Sequence, residues 1–162
     1  MSLKTKKYIL TLKKIGYSKA KNSKSLSFFY NGDIFRNIVN IKLINLIKKI
    51  YLSEKINLRI NLHSNPKVKY HDMILLQQRG TEIKIHKHFL GGETIHLMYG
   101  RLKIFIFNEK GNIIKSTILD KNNLIFRIPD NYYHSIRILS KYSIYHENKS
   151  GPFNSASNIY LN

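Results

Sequence analysis

Between Gly80 and Gly100 the chain reads GTEIKIHKHFLGGETIHLMYG, and no other stretch constrains the fold as much. Two histidines stand one residue apart, a carboxylate follows five residues later, and a glycine closes each end. Side chains of a β-strand alternate with period 2, so a strand here would project His86 and His88 from one face. A four-residue turn, Phe89-Leu90-Gly91-Gly92, would then reverse the chain into a hairpin with Glu93 at the head of its second strand. Two imidazoles and a carboxylate meet at one point in this arrangement. A β-scaffold builds most of a metal site from a local piece of chain in this way.

The flanking segments show two periodicities. Ile34, Ile38, Ile41, Leu43, Ile44, Leu46, Ile47, Ile50 and Leu52 recur largely at helical spacing, which predicts one amphipathic helix packed on the downstream chain, with Asp33 as its N-cap. From Ile56 the pattern changes to strands. Asn57 to His63 alternates and Met73 to Gln78 is a short apolar run. After the central stretch come Leu102 to Phe107, Ile113 to Leu119, Leu124 to Ile128, Ser135 to Leu139 and Tyr142 to His146. Short strands parted by Gly, Asn, Asp and Pro indicate an all-β sandwich or barrel rather than βαβ units. Residues 1–30 read as a basic N-terminal extension, 31–55 as a helical lead-in, 56–153 as the barrel and 154–162 as a tail without periodicity, together one domain.

A net charge of +19 on 162 residues would ordinarily point to nucleic acid or an anionic surface. Lysine supplies 22 of the 28 basic residues, beside abundant Ile, Asn and Tyr, the combination that AT-rich codons produce. Arg59, Lys84, Arg101, Arg127 and Arg137 also sit singly among apolar residues, and only residues 1–24 form a basic block. This dispersion weighs against nucleic acid. An anionic small molecule such as a nucleotide sugar suits it better. The absence of cysteine excludes disulfides and zinc–thiolate sites. No run of about 18 apolar residues offers a membrane-spanning helix. The N-terminal stretch lacks the apolar core and cleavage site of a signal peptide, so the default expectation is a cytoplasmic location.

Gly80, His86, His88, Glu93 and Gly100 match the first motif of the cupin superfamily without a gap or substitution. The second cupin motif runs Pro-x-Gly-x-x-His. Pro129-Asp130-Asn131-Tyr132-Tyr133-His134 is similar to it, with Asn131 in place of the glycine. Asparagine is the next residue to accept a left-handed turn, so the turn is expected to survive. Beyond these motifs the chain resembles the WbuC-type cupin-fold metalloproteins, associated in bacteria with O-antigen and other surface-polysaccharide biosynthesis. Leu58-Arg59-Ile60-Asn61-Leu62-His63 resembles that family's opening Arg-x-Asn-Leu-His segment. Phe107 to Gly111 resembles its acidic turn, and Glu147 to Phe153 its Glu-x-Lys-x-Gly-Pro-aromatic close. The likeness runs from Ile34 to Phe153. Two departures stand out: Tyr70-His71-Asp72-Met73 replaces an expected Val-Gln-Arg-Met, and Gly92 stands where an aromatic is common, a change expected to open the pocket.

The resemblance implies a cupin jelly-roll β-barrel with an N-terminal helix and a basic extension, paired edge to edge as a homodimer. It implies one divalent metal held by His86, His88, Glu93 and His134. Three imidazoles and a carboxylate suit Zn, Fe, Mn or Ni, and an octahedral ion would keep two positions for water or substrate. The alternative is a metal-free pocket in which a histidine works as acid and base, as in sugar isomerase or epimerase cupins. Lys84 shares parity with His86 and His88. It should therefore face the interior, where it needs an anionic partner, or else snorkel to the rim. Glu147 is a candidate general acid/base or orienter of a metal histidine, unless it merely pairs with Arg59 or Lys149. Lys84 and Glu147 are thus the catalytic candidates. Lys84, Tyr132, Tyr133 and His63 are the substrate-binding ones. His96 has the opposite parity to Glu93 and should face away; His71 and His146 carry no assignment. Two function classes remain: a metal-dependent enzyme acting on a carbohydrate or nucleotide sugar (isomerase, epimerase or lyase type), or a non-catalytic metal- or sugar-binding module of a polysaccharide pathway.

Overall fold

The structure is a computed structural model and describes residues 1–21, 23, 25–88, 91–153 and 158–161. Along the chain run α1 (Leu3–Lys14), β1 (Tyr17–Lys19), β2 (Leu26–Tyr30), α2 (Ile41–Glu54), β3 (Leu58–Asn61), β4 (Tyr70–Gln78) and β5 (His86–His88). Next come β6 (Glu93–Tyr99), β7 (Leu102–Phe107), β8 (Ile113–Leu119), β9 (Ile125–Ile128), β10 (Tyr133–Ile138), β11 (Tyr142–Ser150) and β12 (Asn158–Tyr160). They form one sheet in the order β1-β2-β3-β4-β11-β6-β9 and a second in the order β12-β5-β10-β7-β8. β11 lies between β4 and β6, and β10 between β5 and β7, so the connections cross from sheet to sheet.

The apolar run Met73-Ile74-Leu75-Leu76 explains how the layers are built. Alternation sends Ile74 and Leu76 to one face of the larger sheet, where they join Leu58 and Ile60 in a core with Leu12, Leu43, Ile47 and Ile50 of the helices. Met73 and Leu75 point to the other face and pack with Ile95, Leu97, Ile104, Ile136 and Tyr145. A strand covered on both sides reads as a continuous apolar run. Burying one such Leu or Ile completely contributes about 1.5–3 kcal/mol.

The helix begins later than its periodicity suggested. Asn40 is the N-cap, its side chain accepting the Leu43 N–H at 3.1 Å, and Lys55 ends the helix in a left-handed conformation. Asp33 instead caps a 3₁₀ turn, Ile34–Arg36, and Ile34 and Ile38 are exposed. Residues 1–30 contribute more than a basic extension. α1 packs on α2, and β2 runs parallel to β3 with Ser27 opposite Arg59 and Phe29 opposite Asn61. The tail contributes β12, which pairs with β5. No helix among the described residues is long and apolar enough to cross a membrane.

Candidate metal centre

His86, His88 and Glu93 do not come from a hairpin. β5 lies in the smaller sheet and β6 in the larger one, so the connection crosses the sandwich; Phe89 and Leu90 of the expected turn lie outside the described residues. Gly92 does not open the pocket either. A Cβ there would strike the Ile128 carbonyl and the Pro129 backbone, and the Gly92 N–H donates to Asp130 Oδ1 at 2.6 Å. The glycine lets this crossover close onto the turn that precedes His134. That turn keeps its shape, because Asn131 takes the left-handed conformation at φ 65°. It delivers His134 directly opposite His86 on β10.

One potential ligand atom from each of His86, His88 and His134 lies within 4.8 Å of the others. Each ring is anchored through Nδ1. His86 donates to the Lys84 carbonyl at 2.8 Å, His134 to the Tyr132 carbonyl at 3.0 Å and His88 to Asn158 Oδ1 at 3.0 Å. With the proton on Nδ1, each Nε2 presents a lone pair inward, the tautomer of a metal-binding histidine. Glu93 completes the group, Oε2 2.8 Å from His88 Nε2 and Oε1 3.2 Å from His134 Nε2. Lone pairs facing a carboxylate at these distances repel unless a positive charge lies among them, either a proton on a ring or a cation. The buried His134 Nε2 has no hydrogen bond of acceptable geometry, although the carboxylate is so near. The donor set therefore fits a divalent ion.

The electrostatics reflect this crowding. Burial, then the neighbouring His134, push His86 down to about 4. Burial opposes charge on both His134 and Glu93, but their close approach outweighs it, raising His134 and holding Glu93 well below the usual carboxylate range.

The group opens into a cavity of about 640 Å³ between the sheets. Glu147 lines it, buried, with Oε1 3.2 Å from Lys149 Nζ and not paired with Arg59. Lys149 also reaches Glu93 Oε2 at 3.7 Å. Burial acts to lower the Lys149 ammonium, but the Glu147 and Glu93 carboxylates hold it above the usual lysine range. Lys84 is exposed at the cavity rim, since β5 starts only at His86 and the parity argument does not extend back to residue 84. His63 lines the cavity outside the metal group, stacked on His71 with ring centroids 4.5 Å apart.

Tyr132 and Tyr133 do not line the cavity. Tyr132 is exposed, and Tyr133 alternates to the outer face beneath Lys87, whose Nζ lies 4.6 Å from its ring centre. His96 faces away from Glu93, paired with His146 across the strands. Sequence reasoning missed Asn158, Lys149 and Arg59 as cavity residues. The Glu-x-Lys spacing of Glu147 and Lys149 was a usable signal, because period 2 places both on one face. Asn158 gave none, for its role depends on the tail returning to β5.

A family model described as a domain of unknown function (DUF6016) matches residues 42–119, a span that includes His86, His88 and Glu93 but not His134. No curated protein matches the chain by sequence. Among solved structures, the capsular polysaccharide assembling protein CapF of Staphylococcus aureus is similar at 16% identity and TM-score 0.52, over 64% of this chain and 31% of that one. A Shewanella oneidensis protein is similar at 14% identity and TM-score 0.50, over 58% of this chain and 63% of that one. The chain thus spans about a third of CapF and under two thirds of the Shewanella protein. These likenesses show the fold: a cupin jelly roll, with helices against the outer face of one sheet.

Proposed function

We propose that His86, His88, Glu93 and His134 hold one divalent metal ion, Zn, Fe, Mn or Ni, and that the cavity takes a carbohydrate or nucleotide sugar of surface-polysaccharide biosynthesis. One observation carries the metal assignment: three rings anchored outward through Nδ1 turn three Nε2 lone pairs toward one another and toward Glu93. Bound there, an ion supplies Lewis-acid polarisation of a substrate oxygen or an activated water. The local matches to the WbuC-type proteins and the shared fold with a capsule-assembling protein support the sugar reading.

In this reading Glu147 moves the proton. Its carboxylate reaches the cavity beside Glu93, and Lys149, charged between them, keeps both acids from repelling each other. Lys84 at the rim meets substrate as it enters. A metal-free reading has its own support, since a proton shared among His88, His134 and Glu93 would also relieve the facing lone pairs. A histidine would then serve as acid and base.

Metal content decides between them. Protein purified without added metal is expected to carry about one equivalent of a transition metal, lost in His88→Ala and His134→Ala. A parent that stays metal-free after anaerobic reconstitution removes the metal reading in favour of acid–base chemistry. Turnover of nucleotide sugars by the loaded protein then separates an enzyme from a binding module.

A further inference from the structure

We infer that Arg59 is the docking point for an oxyanion, a phosphate or carboxylate group, on the molecule that enters the cavity. This rests on the cavity being a ligand site and adds the ligand's chemical class. Arg59 lies on β3 with its side chain toward the cavity; its neighbours Leu58 and Ile60 point into the helix-side core. Across the strands it stands between Ser27 of β2 and Leu75 of β4, and Leu75 is followed by Tyr145 of β11. That row offers no acid.

Two of the three acids that line the cavity are committed. Glu147 and Glu93 both face Lys149, and Glu82 makes no ion pair with Arg59. Among the described residues Arg59 has no salt bridge, and its Nε is buried without a hydrogen-bond partner. A guanidinium cannot shed its proton to escape burial, as a lysine can. Arg59 is half-buried, and its unpaired Nε gains a partner when an anion meets it. The planar fork of donors matches two oxygens of a carboxylate or phosphate, a geometry no lysine reproduces. Lys21 and Lys84 line the same cavity and reinforce its positive sign.

The test titrates three probes, inorganic phosphate, glucuronate and glucose, into wild type, Arg59→Met, Arg59→Lys and Lys141→Met. Lys141 is an exposed cation outside the cavity lining and controls for the general positive charge. At least one oxyanion is expected to bind wild type and Lys141→Met alike, and to bind Arg59→Met about thirtyfold or more weakly. Arg59→Lys falls between, keeping the charge without the fork. Whichever probe binds names the group. Wild-type affinity in Arg59→Met, equal losses in Lys141→Met, or no binding of either oxyanion to wild type overturns the assignment. If Arg59→Met does not fold, wild-type affinity in Arg59→Lys overturns it in the same way. Metal content measured on the same samples keeps the two readings apart. An Arg59-dependent oxyanion site in metal-free protein removes only the metal reading, whereas a metal-loaded protein indifferent to Arg59 removes only this one.

Discussion

His88 Nδ1 donates to Oδ1 of Asn158 at 3.0 Å, a bond across 70 residues that ties the last strand of the chain to the histidine cluster. It orients the ring and keeps its proton on the outer nitrogen. Partners of this kind typically contribute 10–100-fold to metal affinity. Asn158→Leu is therefore expected to weaken metal binding by about that factor, and Asn158→Asp to preserve it. Competition with a coloured chelator reads the affinity, and an unchanged value in Asn158→Leu would mean that His88 is oriented by packing alone.

Lys149 is the one cation within reach of both Glu93 and Glu147 among the described residues. Lys149→Met leaves two buried carboxylates without it. Breaking a buried pair from one side costs about 3–5 kcal/mol. Urea denaturation should show a loss of that order, partly restored in the Glu147→Gln, Lys149→Met double variant. No restoration would show that Lys149 acts through its stem rather than its charge.

The His63–His71 stack makes acid stability depend on a pair outside the metal group. Burial, then the charge of His71, lower His63 to about 4, outweighing the Asp72 carbonyl 3.1 Å from its Nδ1, which favours the protonated ring. A histidine depressed in the folded state contributes stability above its unfolded value near 6.5 that is lost as pH falls toward 4. Wild type should thus lose about 1 kcal/mol more than His63→Gln across that window, a figure reduced for solvent screening at this half-buried site. Parallel curves for the two proteins would refute the assignment.

The backbone around His134 should tolerate one exchange and reject another. Asn131 stands at φ 65°, so Asn131→Gly is expected to be close to neutral, whereas Asn131→Val should cost about 1–2 kcal/mol. Gly92→Ala should cost more, because its Cβ meets backbone of the same turn. Melting temperatures, with metal content alongside, check both. A harmless Gly92→Ala would mean that the crossover can shift away from Ile128.

The central motif was legible because it is local. Period 2 places His86 and His88 on one face whatever the chain does elsewhere, and Asn131 could be read as a turn residue from its own conformational preference. The apolar runs likewise announced strands and a helix. The start of that helix was misread because Ile34 and Ile38 obey helical spacing, while the choice between Asp33 and Asn40 as cap depends on where the helix docks.

What only the tertiary structure decided was partnership across distance. That Glu93 approaches His88 and His134 from the opposite sheet, that Tyr133 turns outward, and that Lys149 rather than Arg59 meets Glu147 all result from sheet order. Spacing fixes which face a side chain takes. It carries no information about which strand lies alongside, because that is set by the burial of two cores at once.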